Sequence, residues 1–315
     1  MTAVPPSSSG ETVLLARGEL VDVRRRARAT LLGAAIGDAL GATLEFLTPR
    51  EIRERYGRLT KIVGGGWLRL RPGQVTDDTE MSLCLARSLV SGSWSPEDLA
   101  QRFGAWLRGN PADVGNTCRR GIARYLTTGK LWAPPNEGDA GNGAVMRVAP
   151  AALVTLGDPS ALTRLAVEQA RLTHNHPLSD AACTLVGRLI QQGCLAASRG
   201  ELRSTVDQVT AEIHRFRFEP YHGLATAYVV DTLQTVFHFF FTTSSFEEAL
   251  VATVNQGGDA DTTGTIIGAI AGAHYGPTQI PQKWQRKLPV PLVSELESLA
   301  DALVLRSPIG QGLAT

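Results

Sequence analysis

The sequence predicts an all-α protein, a single compact multi-helix domain whose loops carry the chemistry. Three observations predict it. Apolar residues recur at helical spacing in segment after segment, strand-like alternation is scarce, and Gly and Pro clusters separate the helical stretches. A chain of 315 residues, 43% of them hydrophobic, is long enough to bury a sizeable core.

Residues 1–24 begin Pro/Ser-rich, are weakly patterned, and read as a mobile N-terminal extension. The domain is expected over 25–305, with a C-terminal tail over 306–315. Helices are expected in "RARATLLGAAIGDALGATLEF", "TEMSLCLARSLV", "PEDLAQRFGAWLRG", "LSDAACTLVGRLIQQGCLAAS", "AYVVDTLQTVFHFFF" and "SFEEALVATVNQ". Loops are expected at "GGGW", "RPG", "GNP", "APPNEGDAGNG" and "HNHP". Glycines recur every fourth residue at Gly33, Gly37 and Gly41, and again at Gly264, Gly268, Gly272 and Gly276. Residues four apart share a helix face, and each glycine costs about 1 kcal/mol relative to alanine. Such rows predict two helices in close backbone contact at the centre of the fold.

The formal charge of +1, from 31 basic and 30 acidic residues, points to neither nucleic acid nor a membrane surface as an obligatory partner. The basic run Arg24–Arg26 reads as a solvated helix start. Cys84, Cys118, Cys183 and Cys194 form no C-x-x-C pair, so a reduced, cytoplasmic setting is expected. The N-terminus lacks the pattern of a signal peptide, and no apolar run is long enough to be an integral membrane segment.

Acidic residues gather in three places. Asp38 and Glu45 are seven residues apart and are expected to share a helix face. Thr76, Asp77 and Asp78 form the second group, and Asp259, Asp261, Thr262 and Thr263 the third. Helix capping explains one acid at each helix start, with Asp77 and Glu80 as cap and N3 partner and Asp261 capping the glycine-row helix. It leaves a second acid and a hydroxyl unexplained at both. Carboxylate and hydroxyl oxygens suit hard divalent cations, and four or five negative charges in one pocket match two of them. An EF-hand is a poor fit, because the twelfth position of a loop starting at Asp259 is Ile270 rather than Glu. An Asp-Asp-x-x-Asp helix fails at Met81. His174 and His176 form an H-x-H pair, but few other histidines could complete a zinc site. A role facing substrate or steadying the loop suits His174 better.

The ordered set "GAAIGDALGATLEF", "GQVTDDTEMSL", "DVGNTCRRG", "GDAGNGAVMRVAPAAL", "THNHPLSDAA" and "NQGGDADTTGTIIGAIAGA" resembles the ADP-ribosylglycohydrolase family, from about Arg25 to about Ala302. The resemblance implies an all-α fold with a central binuclear metal cleft holding two divalent cations, Mn²⁺ favoured and Mg²⁺ an alternative. It implies a hydrolase cleaving the N-glycosidic bond between ADP-ribose and an arginine side chain. The matching metal ligands are Thr76, Asp77, Asp78, Asp259, Asp261 and Thr262, with Glu45 beside them. The subtype resemblance implies ADP-ribosylated dinitrogenase reductase as substrate, and hence regulation of nitrogen fixation. It also implies a PII signalling protein as partner and reversible membrane association through an ammonium transporter.

Cleavage passes through an oxocarbenium-like centre and needs an activated water. A metal pair is expected to grip the ribose hydroxyls and activate that water. Glu45, Asp78 and Asp113 are the expected catalytic residues, with Asp113 steadying the departing guanidine; an Asx-turn is the alternative for Asp113. Asn116 stands beside it. Gly138, Gly141, Asn142 and Gly143 suit a diphosphate approached by backbone N–H groups; an ordinary glycine loop is the alternative, and the resemblance favours the diphosphate. Tyr228 matches a nucleotide-stacking aromatic of the family, and simple core packing is its alternative. Trp67 is expected near the metal loop, facing a protein substrate. The competing readings are an ADP-ribose-binding module and a structural protein on the same fold. Both would tolerate loss of the acids, and here every acid is present.

Overall fold

The computed structural model of the protein describes residues 17–132 and 134–312. Among the described residues, fifteen α-helices run in the order α1 (Arg17–Gly41), α2 (Pro49–Tyr56), α3 (Asp77–Ser91), α4 (Pro96–Arg108), α5 (Asn116–Thr128), α6 (Ala149–Val154), α7 (Pro159–Arg171) and α8 (Pro177–Cys194). They continue with α9 (Arg199–Glu212), α10 (Val229–Thr242), α11 (Phe246–Val254), α12 (Ala260–Tyr275), α13 (Gln282–Gln285), α14 (Val290–Arg306) and α15 (Pro308–Gln311). Among the described residues there is no strand, only the isolated bridges Gly65–Leu70 and Gly141–Tyr228. The expected all-α class holds.

The glycine rows do what their spacing predicts. α1 and α12 lie against each other along their length at the centre of the fold, and every residue from 29 to 45 and from 260 to 273 is buried. A Cβ on Gly33, Gly37 or Gly41 would stand 2.3, 2.0 or 2.1 Å from the carbonyl oxygen of Gly268, Gly264 or Ala260. In return, a Cβ on Gly268 or Gly272 would stand 2.1 or 2.2 Å from the carbonyl oxygen of Gly33 or Ala29. Only hydrogen fits at these positions. Helices α3, α8, α10, α11 and α14 pack around this pair.

Two boundaries differ from expectation. Residues 1–16 of the expected extension lie outside the described residues, but 17–24 already belong to α1. This turn is held from a distance: the Arg24 and Arg28 guanidiniums both pair with Asp301 on α14, and Arg26 donates to the Ala273 carbonyl at 3.0 Å. The basic run is therefore a docking strip rather than a solvated start. In the expected tail, residues 313–315 lie outside the described residues, while α15 packs inward through buried Ile309.

Candidate active site

The C-terminal end of α1 meets the N-terminal ends of α3, α5 and α12. Helix N-termini present unpaired N–H groups and favour negative charge, so they are suited to holding acids. Thr76 caps α3, its Oγ1 accepting from the Asp78 amide at 3.4 Å. Asp77 and Asp78 are thus the first helical residues, and neither is the cap expected of Asp77. Glu80 turns away to accept from the Trp106 indole at 2.7 Å. At α12 the cap position is Asp259, which makes no side-chain cap bond, and Asp261 lies inside the first turn. Released from capping, these carboxylates are free to converge.

They converge on a cleft of about 420 Å³ lined by Glu45, Asp77, Asp78, Asp113, Asp259 and Asp261. No lysine or arginine is among its lining residues. Glu45, Asp259 and Asp261 bring carboxylate oxygens within 4.8 Å of one another. Each acid is oriented by a neighbour. Trp67 Nε1 donates to Glu45 Oε2 at 2.6 Å, and Asn142 Nδ2 donates to Asp259 Oδ2 at 2.7 Å. The Gly115 amide donates to Asp77 Oδ2 at 3.2 Å, and Thr262 Oγ1 donates to Asp78 Oδ2 at 3.3 Å. Asp78 Oδ1 is buried with no hydrogen-bond partner among the described residues. A buried carboxylate oxygen without a donor is costly, and a cation would satisfy it.

The electrostatics say the same. Burial pushes the Glu45 carboxyl up to about 8, with Asp259, Asp113 and Asp77 adding to the rise and the Trp67 bond opposing it. Burial and then the Asp113 carboxylate push Asp77 up to about 7. Asp78 and Asp261 are raised well above the ordinary aspartate range, by burial first and by neighbouring carboxylates second. Burial also raises Asp113, which lies half-buried at the rim with Oδ1 accepting from the Val114 amide at 2.7 Å. Without counter-charge, the cluster holds protons in order to exist.

Asp38 and Glu45 do not share a helix face. α1 ends at Gly41, and Glu45 sits on the following turn. Asp38 stands behind the cluster and accepts from the amides of Thr76 and Thr79 and from Thr79 Oγ1, at 2.5 Å for the last. It anchors the start of α3, a role that the sequence spacing did not reveal.

Asn116, Gly141, Asn142, Gly143, His174 and Thr262 line the cleft with the acids, whereas Thr76, Gly138 and Tyr228 are not among its lining residues, although the Thr76 hydroxyl stands 3.4 Å from Asp78 Oδ2. The Tyr228 backbone bridges Gly141, while its hydroxyl accepts from Arg215 at 3.2 Å. Gly141 and Gly143 are small for a visible reason: a Cβ at either would stand 2.9 or 3.0 Å from the His174 ring. His174 is buried, and burial holds its pKa well below the usual histidine value, leaving a neutral imidazole whose Nδ1 bonds Thr173 Oγ1 at 2.8 Å. Arg147, fully buried, donates to that Thr173 hydroxyl and to the Gly143 carbonyl, tying the histidine and the glycine loop together. Sequence reasoning passed over Arg147; its place directly after "GNGAVM" was the only signal. His176 caps α8, accepting from the Leu178 amide at 3.0 Å, and forms no metal pair with His174.

A model of the ADP-ribosylglycohydrolase family matches residues 19–311. The chain belongs to the ADP-ribosylglycohydrolase family. It is 52% identical over 286 residues to the ADP-ribosyl-[dinitrogen reductase] glycohydrolase of Rhodospirillum rubrum, covering 90% of this chain and 96% of that protein. It is 32% identical to the ADP-ribosylarginine hydrolase Tri1 of Serratia proteamaculans, over 90% of this chain and 80% of that protein. A solved structure of an ADP-ribosylglycohydrolase-related protein complex superposes with a TM-score of 0.81 at 34% identity, covering 91% of this chain and 99% of that one. Family members and this chain thus share the fold along nearly its whole length, and the acidic cleft lies inside the shared region. No described helix is long and apolar enough to cross a membrane.

Proposed function

We propose that this family member is a divalent-metal-dependent hydrolase releasing ADP-ribose from a modified arginine. We further propose that its protein substrate is ADP-ribosylated dinitrogen reductase, so that it restores that enzyme and regulates nitrogen fixation. The observation that carries the reading is the cleft of six carboxylates with no lysine or arginine among its lining residues. A phosphate-bearing substrate would be repelled by such a cleft unless cations were held there. The R. rubrum and Tri1 relatives, named for dinitrogen reductase and for arginine, support the choice of substrate.

The donor set fits hard divalent cations such as Mn²⁺ and Mg²⁺, because the clustered candidate ligands are carboxylate and hydroxyl oxygens. Asp77, Asp78, Asp259, Asp261 and the hydroxyls of Thr76 and Thr262 would hold two of them, with Glu45 adjoining through Asp259 and Asp261. When bound, the cations supply Lewis acidity toward ribose hydroxyls and water. The chain's own residues do the rest. Asn142 and Trp67 hold Asp259 and Glu45 in fixed orientations. Asp113, at the rim and held on one oxygen only, has its other oxygen free to stabilise the departing guanidinium. That leaving group departs protonated and needs charge stabilisation more than a strong acid. Gly141, Asn142 and Gly143 form the wall along which the diphosphate lies. His174, neutral and buried, fixes that wall without adding charge. The expected PII partner and transporter-mediated membrane association rest on the family resemblance.

The test is direct. The protein is incubated with arginine-ADP-ribosylated dinitrogen reductase and Mn²⁺, with and without EDTA, beside a generic arginine-modified protein. Metal-dependent release of free ADP-ribose, faster from the reductase, is expected. Equal release with EDTA would overturn the metal assignment, and equal rates on the two proteins would overturn the substrate.

A further inference from the structure

Two aromatic residues at the mouth of the cleft present ring faces that the chemistry above does not use. Phe46 is 65% exposed and Trp67 is 52% exposed, and their rings lie 5.3 Å apart at 48°. Both line the cleft beside the carboxylates. Phe46 holds φ +62, a costly conformation for a bulky residue. Its amide is anchored there by the Gly258 carbonyl at 2.7 Å. Trp67 is placed with equal care. Gly64, Gly65 and Gly66 all have positive φ, and a Cβ on Gly66 would stand 2.4 Å from the Ala42 carbonyl oxygen. The loop is therefore pressed onto the end of α1, where Thr43 Oγ1 bonds the Gly64 carbonyl at 3.1 Å. The indole N–H is engaged by Glu45, so the ring edge is fixed while much of its surface stays open. The fold maintains two exposed rings in a strained setting beside Glu45 and Asp113.

We infer that Phe46 and Trp67 form an aromatic clamp for the guanidinium of the modified arginine, determining specificity on the leaving-group side of the bond. This rests on the hydrolase reading above. A guanidinium is planar, weakly hydrated and always charged, and it stacks on aromatic faces. Carboxylates alongside the rings, Glu45 and Asp113 among them, complement that cation. The clamp thus reads the one part of the substrate that free ADP-ribose lacks.

The experiment compares Phe46→Ala, Phe46→Leu, Phe46→Tyr, Trp67→Ala and Trp67→Phe, all assayed with Mn²⁺. Turnover of an arginine-modified protein gives kcat and KM, calorimetry gives the affinity for free ADP-ribose, and thermal melting confirms folding. Loss of a cation–π face predicts a KM about tenfold higher in Phe46→Ala, Phe46→Leu and Trp67→Ala. Phe46→Tyr and Trp67→Phe, which keep a ring, should stay within about threefold of the wild type in KM, while Trp67→Phe, which also loses the indole bond to Glu45, should lower kcat. ADP-ribose affinity should be unchanged throughout, and Trp132→Ala, exposed outside the cleft, should change neither quantity. Wild-type KM in Phe46→Leu would overturn the clamp by showing that apolar bulk suffices. A parallel loss of ADP-ribose affinity would overturn it by placing the rings on the nucleotide. A wild-type protein that binds ADP-ribose but releases none would overturn the hydrolase reading, and the clamp with it.

Discussion

Replacing Gly37 by alanine tests how closely the site depends on the central helix pair. A Cβ there would stand 2.0 Å from the Gly264 carbonyl oxygen, 2.3 Å from its carbon and 2.9 Å from the Thr265 nitrogen. All three are backbone atoms of α12, so no side chain can rotate away. Reaching ordinary contact at 3.4 Å requires α1 and α12 to separate locally by roughly 1.4 Å. Alanine improves helix propensity by about 1 kcal/mol. Overpacking costs about 1–3 kcal/mol even where side chains can yield, and here they cannot. We expect a net loss of about 3 kcal/mol, which for a domain of this size lowers Tm by roughly 6 °C. Because α1 carries Asp38 and α12 carries Asp261 and Thr262, the same displacement opens the carboxylate cluster. A misplacement of about 1 Å can cost about 100-fold in rate. The assay is thermal melting with and without Mn²⁺, together with ADP-ribose release. Gly200→Ala in the first turn of α9 is the control, since its nearest neighbour is 3.9 Å away. It should be neutral or slightly stabilising. A Gly37→Ala protein that melts at or above the wild-type temperature would refute the reasoning.

Other expectations follow from the cluster. Asp78→Ala and Asp259→Ala should each weaken Mn²⁺ binding by about 100-fold or more, measured by calorimetry, since each removes an anionic ligand from a charge-balanced site; wild-type affinity in either would remove that residue from the ligand set. Asp113→Asn should lower kcat by about 10²–10³ while Mn²⁺ affinity and stoichiometry stay unchanged, because its charge is proposed to act on the leaving group; loss of metal instead would move Asp113 into the ligand shell. The metal-free protein should lose stability as pH rises. Glu45 and Asp77, pushed up to about 8 and about 7, hold protons in the fold that the unfolded chain has released. The melting temperature without metal should therefore fall between about pH 4.5 and pH 8, and saturating Mn²⁺ should remove most of that fall. A flat profile without metal would contradict the burial of these acids.

Much of this was legible in the sequence because it is written locally. Helical spacing and turn clusters located the main helices, and the four-residue glycine rows identified the central pair. The doubled acids at 77–78 and at 259 and 261 marked the site because capping explains only one of each. What the sequence concealed depends on contacts between distant residues. The N-terminal part of α1 has few apolar residues, and its hold on the fold comes through Arg24 from Asp301, 277 residues away. Which residue caps α3 is decided by a hydroxyl, and Asp38, 38 residues earlier, binds the Thr76 amide. Trp67 reaches Glu45 only because three consecutive glycines with positive φ turn the loop back onto α1. Gly141 and Gly143 of "GDAGNG" make room for His174, which arrives from the far end of α7.

The central claim is that the acidic cleft is a two-metal site, and crystals grown with Mn²⁺ test it most directly through anomalous scattering. Two peaks are expected within the cleft, ligated by Asp77, Asp78, Asp259 and Asp261, with Asp78 Oδ1 in contact with a cation. An empty cleft at saturating Mn²⁺, or manganese bound only elsewhere on the molecule, would contradict it.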